Sequence, residues 1–283
     1  MGRAFNPGIR LPLSGVTLLQ DLVHQRTGLY FKDAQSDMFL DKLSPLVVEQ
    51  GFDSLLDYYY LLKYDRGSAD EWRNVFDALT VQESFFWREI DQIRALVDNI
   101  VPQYFKAHPH HTLNIWSAAC AAGEEPLTIA MALDEAGWFD RARINIYASD
   151  ASPRAVDAAQ NGFYRERSFR SLPPGLKEKY FEGSGVAGVW RAAGKLHSKV
   201  QWQIANLVSE TDLELAPMTS PVIFCRNVFI YFSASAARKT VRVFAERMPS
   251  PSYLFVGTAE SLLGISSDFK LQEIGDAFVY VRN

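Results

Sequence analysis

The pattern that most constrains the fold is an alternation of strand-like and helical segments that begins near residue 113. Apolar runs at Leu113–Ala119 and Ile144–Ser149 are each followed by a helical pattern that opens at a proline, Pro126 and then Pro153. Parallel strands need a long crossover connection, and the usual crossover is a helix. The alternation therefore predicts an α/β fold with a mostly parallel sheet covered by helices on both faces.

Further apolar runs complete this sheet and give it a different ending. The remaining candidates along the chain are a strand at Val200–Leu207, a strand at Val222–Phe232, a helix near Ala234–Met248 and a strand at Tyr253–Gly257. The last two apolar runs, Phe269–Ile274 and Phe278–Val281, flank a Gly-Asp turn and predict an antiparallel hairpin. A glycine-rich stretch at about residues 180–200 interrupts the alternation and predicts a small inserted β subdomain.

The N-terminal part of the chain predicts a separate, all-helical domain. Apolar residues recur at i, i+3 and i+4 spacing in stripes that begin near Leu18, Met38 and Leu55. Pro45 lies inside the second stripe and predicts a kink or a break there. We therefore expect a helical domain at residues 1–76, a linker helix at residues 77–112 and the sheet domain at residues 113–283.

Composition excludes several classes of partner. The net charge of −4 argues against nucleic acid and against anionic membrane surfaces, which are bound by basic faces. No apolar stretch approaches membrane-spanning length, so no membrane insertion is expected. The N-terminus lacks the apolar core of a signal peptide, and Cys120 and Cys225 lie in apolar runs, as reduced thiols of a cytoplasmic protein do. Pro109 breaks the ligand spacing of three neighbouring histidines, so no metal site is predicted.

Polar residues follow or interrupt four of the apolar runs. Glu124 follows a tight small-residue turn and opens a helix, which brings a carboxylate and backbone N–H groups together for a polar ligand. Asp150 ends the second strand, where an acid suits ribose hydroxyls. Asn206 ends a third strand, and its amide could read an adenine edge. Arg226 and Asn227 interrupt the fourth run, where a buried charge is expensive without a partner.

A fifth segment precedes the sheet and reads VQESFFWRE at residues 81–89. Three aromatic residues in a row lie between Ser84 and Arg88 in this segment, and Gln82 precedes them. On a helix, Ser84 and Arg88 are i, i+4 neighbours and face the same way. They could also form an exposed polar stripe on a docking helix.

Together these segments resemble the CheR family of chemotaxis receptor-glutamate methyltransferases. VQESFFWRE is similar to that family's Asn-x-Thr-x-Phe-Phe-Arg signature, and residues 116–131 are similar to its Gly-Glu-Glu-Pro-Tyr-Ser-Ile-Ala-Met motif. Residues 223–232, IFCRNVFIYF, resemble its Phe-Cys-Arg-Asn-Val-x-Ile-Tyr-Phe strand. Residues 255–262, FVGTAESL, resemble its Gly-His-x-Glu-Ser-Leu segment. Four motifs in the family's order, at compatible spacing, make a specific match.

The resemblance implies a class I S-adenosylmethionine (SAM)-dependent methyltransferase with a Rossmann-like sheet that ends in an antiparallel hairpin. The reaction it implies is methyl transfer from SAM to a glutamate carboxylate of a chemoreceptor-like protein, with S-adenosylhomocysteine (SAH) as the product. It also implies that the segment at residues 77–112 carries a lid over the cofactor. Arg88 and Tyr231 are placed beside the transferring methyl group. The implied cofactor contacts are Gln82, Ser84, Arg88, Glu124, Asp150, Asn206, Leu207, Arg226 and Asn227.

Several of these residues also have a purely structural interpretation. Glu124 could stabilise the helix start through the helix dipole, and Asp150 could cap the next helix. Arg226 could belong to an internal ion pair. Tyr231 could be part of the aromatic packing of the core.

The N-terminal domain departs from the family pattern in its charge. The family typically carries an arginine-rich helix there, whereas Ala34–Glu49 sets Lys42 against Asp37, Asp41 and Glu49. An acidic face is not attracted to the acidic methylation region of a receptor. The methyl acceptor could therefore be another protein or a small molecule. A third alternative is a catalytically silent module that binds SAM or SAH and acts through protein interaction.

Overall fold

A computed structural model describes residues 15–65, 67–215 and 219–282 of the chain. Contacts group the residues into two units, Met1–Val81 and Gln82–Asn283. The described part of the first unit is helical, and the second unit contains the sheet. The predictions of a helical N-terminal domain and of a sheet domain after it are confirmed.

The described part of the first unit consists of α1 (Val16–Thr27), a short 3-10 turn (Asp33–Gln35), α2 (Ser36–Glu49), α3 (Leu55–Tyr64) and α4 (Ser68–Leu79). Apolar side chains from the predicted stripes fill its interior. The helix α2 runs through Pro45 without a break. Phe39, Leu43 and Val47 are fully buried on either side of the proline, so tertiary packing holds the helix together there.

The second unit begins with a non-helical segment and then a long helix. That helix comprises α5 (Ile90–Arg94), a π-helical stretch (Ala95–Ile100) and α6 (Val101–Ala107). The elements that alternate along the rest of the unit are β1 (Thr112–Ala118), α7 (Glu124–Glu135), α8 (Trp138–Arg141), β2 (Arg143–Asp150), α9 (Pro153–Asn161), β3 (Phe163–Arg165), a 3-10 turn (Glu166–Phe169), α10 (Pro174–Tyr180), β4 (Phe181–Gly183), β5 (Val189–Ala192), α11 (Gly194–His197), β6 (Val200–Ile204), α12 (Glu210–Leu215), β7 (Val222–Phe224), α13 (Ala234–Arg247), β8 (Ser252–Phe255), β9 (Lys270–Ile274) and β10 (Ala277–Arg282).

Among the described residues, seven strands form the main sheet in the order β6-β2-β1-β7-β8-β10-β9. The first five strands are parallel to one another, whereas β10 is antiparallel to both β8 and β9. The predicted parallel sheet with a terminal hairpin is thus confirmed. Successive residues of β1 point to opposite faces of the sheet, since Ile115 packs in one core cluster and Trp116 in the other. Both faces are therefore buried, as a parallel sheet requires.

The inserted β subdomain is larger than predicted. Its three antiparallel strands lie in the order β3-β5-β4, and β3 at Phe163–Arg165 lies outside the predicted range of residues 180–200. Val200–Ile204 begins where that range ends and pairs in parallel with β2 as the edge of the main sheet, to which the sequence assigns the strand Val200–Leu207. Strand pairing joins segments that are distant in sequence, and local alternation does not indicate it.

The strand predicted at Val222–Phe232 is wrong beyond Phe224. The chain leaves the sheet after β7, and Asn227 adopts a left-handed conformation with φ of 60°. A hydrogen-bonded turn from Val228 to Tyr231 follows it. The apolar run is therefore a short strand and a loop, and the polar residues at its centre mark the exit from the sheet.

Candidate active site

The carboxyl ends of four neighbouring strands lie along one edge of the sheet. These strands, β6, β2, β1 and β7, are mutually parallel. Glu124, Asp150, Asn206 and Arg226 each follow or end one of them. The strand order reverses between β1 and β7, and such a switch point is where open α/β sheets bind ligands.

The turn between β1 and α7 is tightly constrained. Ala119 and Ala121 have φ of 69° and 50°, a left-handed conformation that costs a non-glycine residue about 1–2 kcal/mol. Part of that cost is offset by Asp150, whose Oδ2 accepts a hydrogen bond from the Ala121 N–H at 2.9 Å. Gly123 has φ of 95°, and a Cβ there would lie 2.8 Å from the Trp202 ring. The turn therefore needs glycine at this position.

Asp150 orders the start of α9 as well as the turn. Its Oδ1 accepts a hydrogen bond from the Ser152 N–H at 2.9 Å, and Ser152 Oγ in turn accepts one from Ala155 N–H at 3.0 Å. Asp150 is only 8% exposed. These contacts support the capping interpretation of Asp150, and its contact with a ligand stays a prediction.

Glu124 is a buried carboxylate with one unsatisfied oxygen. Its Oε1 accepts a hydrogen bond from Ser168 Oγ at 3.1 Å, whereas its buried Oε2 has no hydrogen-bond partner among the described residues. Burial raises the pKa of this carboxyl group. An unpaired buried carboxylate is costly unless a cation or donor meets it. The ammonium group of an amino-acid ligand has the charge and the donors that this oxygen lacks, so the site fits SAM.

Arg226 lies in a buried ion-pair network. Its Nη2 is 3.0 Å from Oε2 of Glu89, and its Nη1 is 3.3 Å from Oε2 of Glu125. Nη2 also donates to the backbone oxygen of Arg88 at 2.8 Å. The side chain of Arg226 is only 3% exposed. The internal ion-pair interpretation of Arg226 is therefore correct, and a direct cofactor contact stays a prediction.

Glu125 completes the network on the side of α7. Its Oε1 accepts a hydrogen bond from Ser117 Oγ at 2.6 Å. Burial raises the pKa of Glu125, and the Arg226 guanidinium opposes that shift. The network thus joins β1, α7, the exit of β7 and the segment before α5.

The segment at residues 81–89 is not a helix, so the helical arrangement predicted for Ser84 and Arg88 is wrong. The helix begins only at Ile90, and Trp87 and Glu89 have φ of 69° and 48°. Two left-handed residues are incompatible with a continuous right-handed helix.

Hydrogen bonds fix residues 82–89, here called the lid segment, at several points. Gln82 Nε2 donates to Ser152 Oγ at 2.7 Å. The backbone N–H groups of Phe86 and Trp87 donate to Ser168 O at 2.8 Å and to Thr128 Oγ1 at 3.2 Å. At its end, Glu89 Oε1 accepts a hydrogen bond from Thr258 Oγ1 at 3.1 Å.

The lid segment also contributes the centre of an aromatic cluster. Phe86 is fully buried and contacts the rings of Tyr164, Phe169 and Phe181 at centroid distances of 4.8, 5.2 and 4.9 Å. The neighbouring Phe85 is only partly buried. Phe86 therefore belongs to the packed interior, whereas the adjacent Phe85 keeps part of its surface exposed.

The two residues predicted to act on the methyl group are both accessible. Arg88 is partly exposed, with its guanidinium 5.6 Å from the centre of the Phe85 ring. Tyr231 is 39% exposed. The interpretation of Tyr231 as part of the core packing is therefore wrong.

The remaining predicted contacts lie at strand exits. Asn206 is 7% exposed, and its Oδ1 accepts a hydrogen bond from Val208 N–H at 3.2 Å. Leu207 is buried, and its backbone oxygen accepts a hydrogen bond from Thr240 Oγ1 at 3.1 Å. Asn227 is partly buried in its left-handed conformation.

Sequence reasoning missed three acidic residues of this region: Glu89, Glu125 and Glu260. Glu125 follows Glu124 directly, and Glu260 lies in the FVGTAESL segment, so both stood inside recognised motifs. Their partners are distant in sequence, as in the pair of Arg226 and Glu89, which are 137 residues apart. The need of a buried arginine for a counter-charge could have indicated Glu89 and Glu125. Glu260 accepts from backbone N–H groups, and no sequence signal indicates that role.

The described residues contain no group of three or more histidine, cysteine or acidic side chains that could hold a metal ion. Both cysteines are buried and unpaired, and burial raises the pKa of each thiol. Within the described ranges, no helix combines the length and the apolar character that crossing a membrane requires.

The strand order, the glycine turn after β1 and the acid at the end of β2 define a class I SAM-dependent methyltransferase fold. Residues 82–278 match the family model "CheR methyltransferase, SAM binding domain", and residues 15–80 match "CheR methyltransferase, all-alpha domain". The chain belongs to the CheR methyltransferase family. It is a methyltransferase whose cofactor is SAM, as the resemblance implied.

Curated relatives match along most of their length. Chemotaxis protein methyltransferase 2 of Vibrio cholerae is 31% identical over 267 residues, which cover 93% of this chain and 91% of that protein. The chemotaxis protein methyltransferase of Klebsiella aerogenes is also 31% identical, with coverage of 93% and 89%. Chemotaxis protein methyltransferase 1 of Pseudomonas aeruginosa is 28% identical, with coverage of 93% and 96%.

Proposed function

We propose that this enzyme methylates glutamate side-chain carboxylates of a chemoreceptor-like signalling protein in the cytoplasm, producing a methyl ester and SAH. The names of the curated relatives support the chemotactic context. The observation that carries the proposal is the accessible Tyr231 at the exit of β7, on the edge that also bears the unpaired oxygen of Glu124.

Several residues of this edge would hold SAM. Glu124 would accept from its ammonium group through the unpaired oxygen, and Asp150 would accept from the ribose. Arg226 would act mainly by fixing the lid segment, because its guanidinium is already paired with two carboxylates. The remaining proposed contacts are Gln82, Ser84, Arg88, Asn206, Leu207 and Asn227.

SAM supplies an electrophilic methyl group on a sulfonium ion. A glutamate acceptor has a reference pKa of about 4.3, so it is ionised at neutral pH and needs no general base. The task of the protein is then to align the acceptor and partly desolvate it, and orientation alone can supply about 7–11 kcal/mol. Arg88 is suited to hold a carboxylate through two parallel N–H bonds. The Tyr231 hydroxyl donates to the attacking oxygen and fixes the direction of its lone pair.

One observation favours an acceptor other than an acidic receptor. Asp37, Asp41 and Glu49 are exposed on α2, whereas the Lys42 ammonium group donates to the Leu79 backbone oxygen at 3.3 Å. Burial lowers the pKa of Lys42. The accessible charges of α2 are therefore mostly negative, which suits a basic or neutral partner better than an acidic one.

Labelling with radioactive SAM in a cell extract tests the proposal. A base-labile label on a receptor-sized protein is expected, because glutamate methyl esters hydrolyse in base. A base-stable label, or a label on a small molecule, would support the alternative acceptor. Tight SAM binding without any label would support a silent module. The Tyr231→Phe variant removes only the hydroxyl group that is proposed to orient the acceptor, so it is expected to incorporate less label than the wild type.

A further inference from the structure

The carboxylate of Glu260 gathers three backbone N–H groups from two separate loops. Its Oε2 accepts from Asn227 N–H at 2.7 Å and from Gly257 N–H at 2.6 Å, and its Oε1 accepts from Ile230 N–H at 3.2 Å. Hydrogen bonds to an ionised acceptor are stronger than neutral ones. Glu260 therefore joins the loop after β7 to the loop after β8. Glu260 lies in the FVGTAESL segment, and the proposed function assigns no role to any residue of that segment.

The loop after β7 needs such a support. It begins at Cys225, whose N–H donates to Phe255 O at 2.8 Å, and it then passes through the left-handed Asn227. That conformation is unfavourable for most residues with a side chain, and asparagine is among the few that adopt it at a low cost. Glu260 holds the loop at Asn227 itself and at Ile230, the residue directly before Tyr231.

Gly257 fixes the Asn227 side chain from the other side. A Cβ on Gly257 would lie 2.5 Å from Asn227 Nδ2, so the amide group lies directly against the Gly257 backbone. Gly257 is also bonded to Glu260 in both directions, since the Glu260 N–H donates to the Gly257 backbone oxygen at 2.8 Å. The place of the Asn227 side chain thus depends on one carboxylate and one glycine.

We propose that Glu260 is a positioning residue for the methyl-transfer site, which acts through the backbone on Asn227 and Tyr231. The proposal rests on the proposed function, because the cofactor contact of Asn227 and the role of Tyr231 belong to it. Glu260 itself touches neither SAM nor the acceptor. A glutamine in its place offers one acceptor oxygen and one amide donor, and that donor would face backbone N–H groups.

The affinity for SAH, measured by calorimetry, tests this without any methyl acceptor. Glu260→Gln is expected to weaken SAH binding by about tenfold, the scale of one lost charge-assisted hydrogen bond. Hydrogen exchange of the amides of Asn227, Ile230 and Tyr231 should accelerate, while exchange within β7 stays unchanged. Glu273→Gln makes the same chemical change on the exposed strand β9 and is expected to alter neither quantity.

A double-mutant cycle separates positioning from general destabilisation. In an Asn227→Ala background, Glu260→Gln should cost little further SAH affinity, because its effect passes through Asn227. Additive losses, or an affinity of Glu260→Gln within twofold of the wild type, would overturn the proposal. If Asn227→Ala alone leaves the affinity unchanged, the cofactor contact in the proposed function fails and the positioning role fails with it.

A second variant covers the case in which Glu260→Gln does not fold. Gly257→Ala keeps Glu260 in the chain, but its Cβ would lie 2.5 Å from Asn227 Nδ2 and 2.9 Å from Glu260 Oε2. It therefore displaces the Asn227 amide and the carboxylate together, and it should weaken SAH binding in the same non-additive way. An unchanged affinity of a folded Gly257→Ala protein would overturn the proposal.

Discussion

Nη2 of Arg226 lies 3.0 Å from Oε2 of Glu89, and the two side chains are 3% and 16% exposed. This pair joins the exit of β7 to the end of the lid segment. A second carboxylate, that of Glu125, lies 3.3 Å from Nη1 of the same guanidinium. One guanidinium therefore lies against two carboxylates whose side chains are only 16% and 14% exposed. Removal of the Arg226 side chain would take from both acids the guanidinium that they contact directly.

Arg226→Ala should lower the free energy of unfolding by about 3–5 kcal/mol, the usual cost of removing one partner from a buried ion pair. Chemical denaturation measures this loss. Arg94→Ala is the matched control, because Arg94 pairs with Asp91 on the surface with side chains 62% and 56% exposed. The control should lose no more than about 1 kcal/mol. Equal losses in the two variants would contradict the assignment of Arg226 as a buried structural cation.

Glu124→Gln should separate ligand binding from stability. Loss of the charge removes the acceptor that the SAM ammonium group is proposed to meet, so the SAH affinity should fall by about tenfold or more. The ligand-free protein should melt at a higher temperature, because a buried charge with an unpaired oxygen is gone. Calorimetry and thermal melting measure the two effects. Glu182→Gln, on an exposed carboxylate, is the control. A lower melting temperature together with unchanged affinity would show that Glu124 is only a structural acid.

The same carboxyl group predicts a pH dependence. Burial raises the pKa of Glu124 in the folded chain above its usual value of 4.5. The folded state therefore binds this proton more tightly than the unfolded state does. The resulting stabilisation is complete below pH 4.5 and is lost as the pH rises through the folded pKa. Glu124→Gln cannot titrate, so its advantage in melting temperature over the wild type should grow as the pH is raised through this window. An advantage that stays constant with pH would rule out titration of Glu124 as the cause.

Arg88→Ala should lower kcat by about 100-fold or more, the scale of a lost transition-state contact, while the SAM affinity changes far less. The reason is that Arg88 is proposed to orient a carboxylate beside the methyl group. A methylation assay and SAM calorimetry on the same variant measure the two quantities. Arg73→Ala is the control, because Arg73 lies on the surface of α4 with its side chain 63% exposed, and it should change neither quantity. Equal losses of turnover and affinity in Arg88→Ala would assign Arg88 to cofactor binding instead.

Patterns in short stretches of the sequence were sufficient to predict the sheet. The alternation of apolar runs and helices predicted parallel strands, and the Gly-Asp turn predicted the hairpin of β9 and β10. Such features depend on period and turn chemistry, which are local properties. The prediction failed where polar residues such as Arg226 and Asn227 lie within an apolar run, because partners outside the run decide the path of the chain.

The backbone conformation of the lid segment could not be predicted from the sequence. Its polar and aromatic spacing is compatible with a helix, yet Trp87 and Glu89 are left-handed. Their conformation is maintained by Thr128, Thr258 and Arg226, which lie far along the chain. The candidate site residues could be named through the resemblance, but the network that holds them could not.

The hydrogen bonds of the lid segment divide its residues into two sets. Gln82, Phe86 and Glu89 hold the backbone in place, whereas the Ser84 side chain makes no hydrogen bond within the described part of the chain. The partly exposed Arg88 guanidinium makes one long contact, of 3.5 Å, with the Glu83 backbone oxygen. Substitutions at positions 84 and 88 can therefore alter what the enzyme recognises without moving the backbone. In this segment, ligand preference can evolve independently of folding.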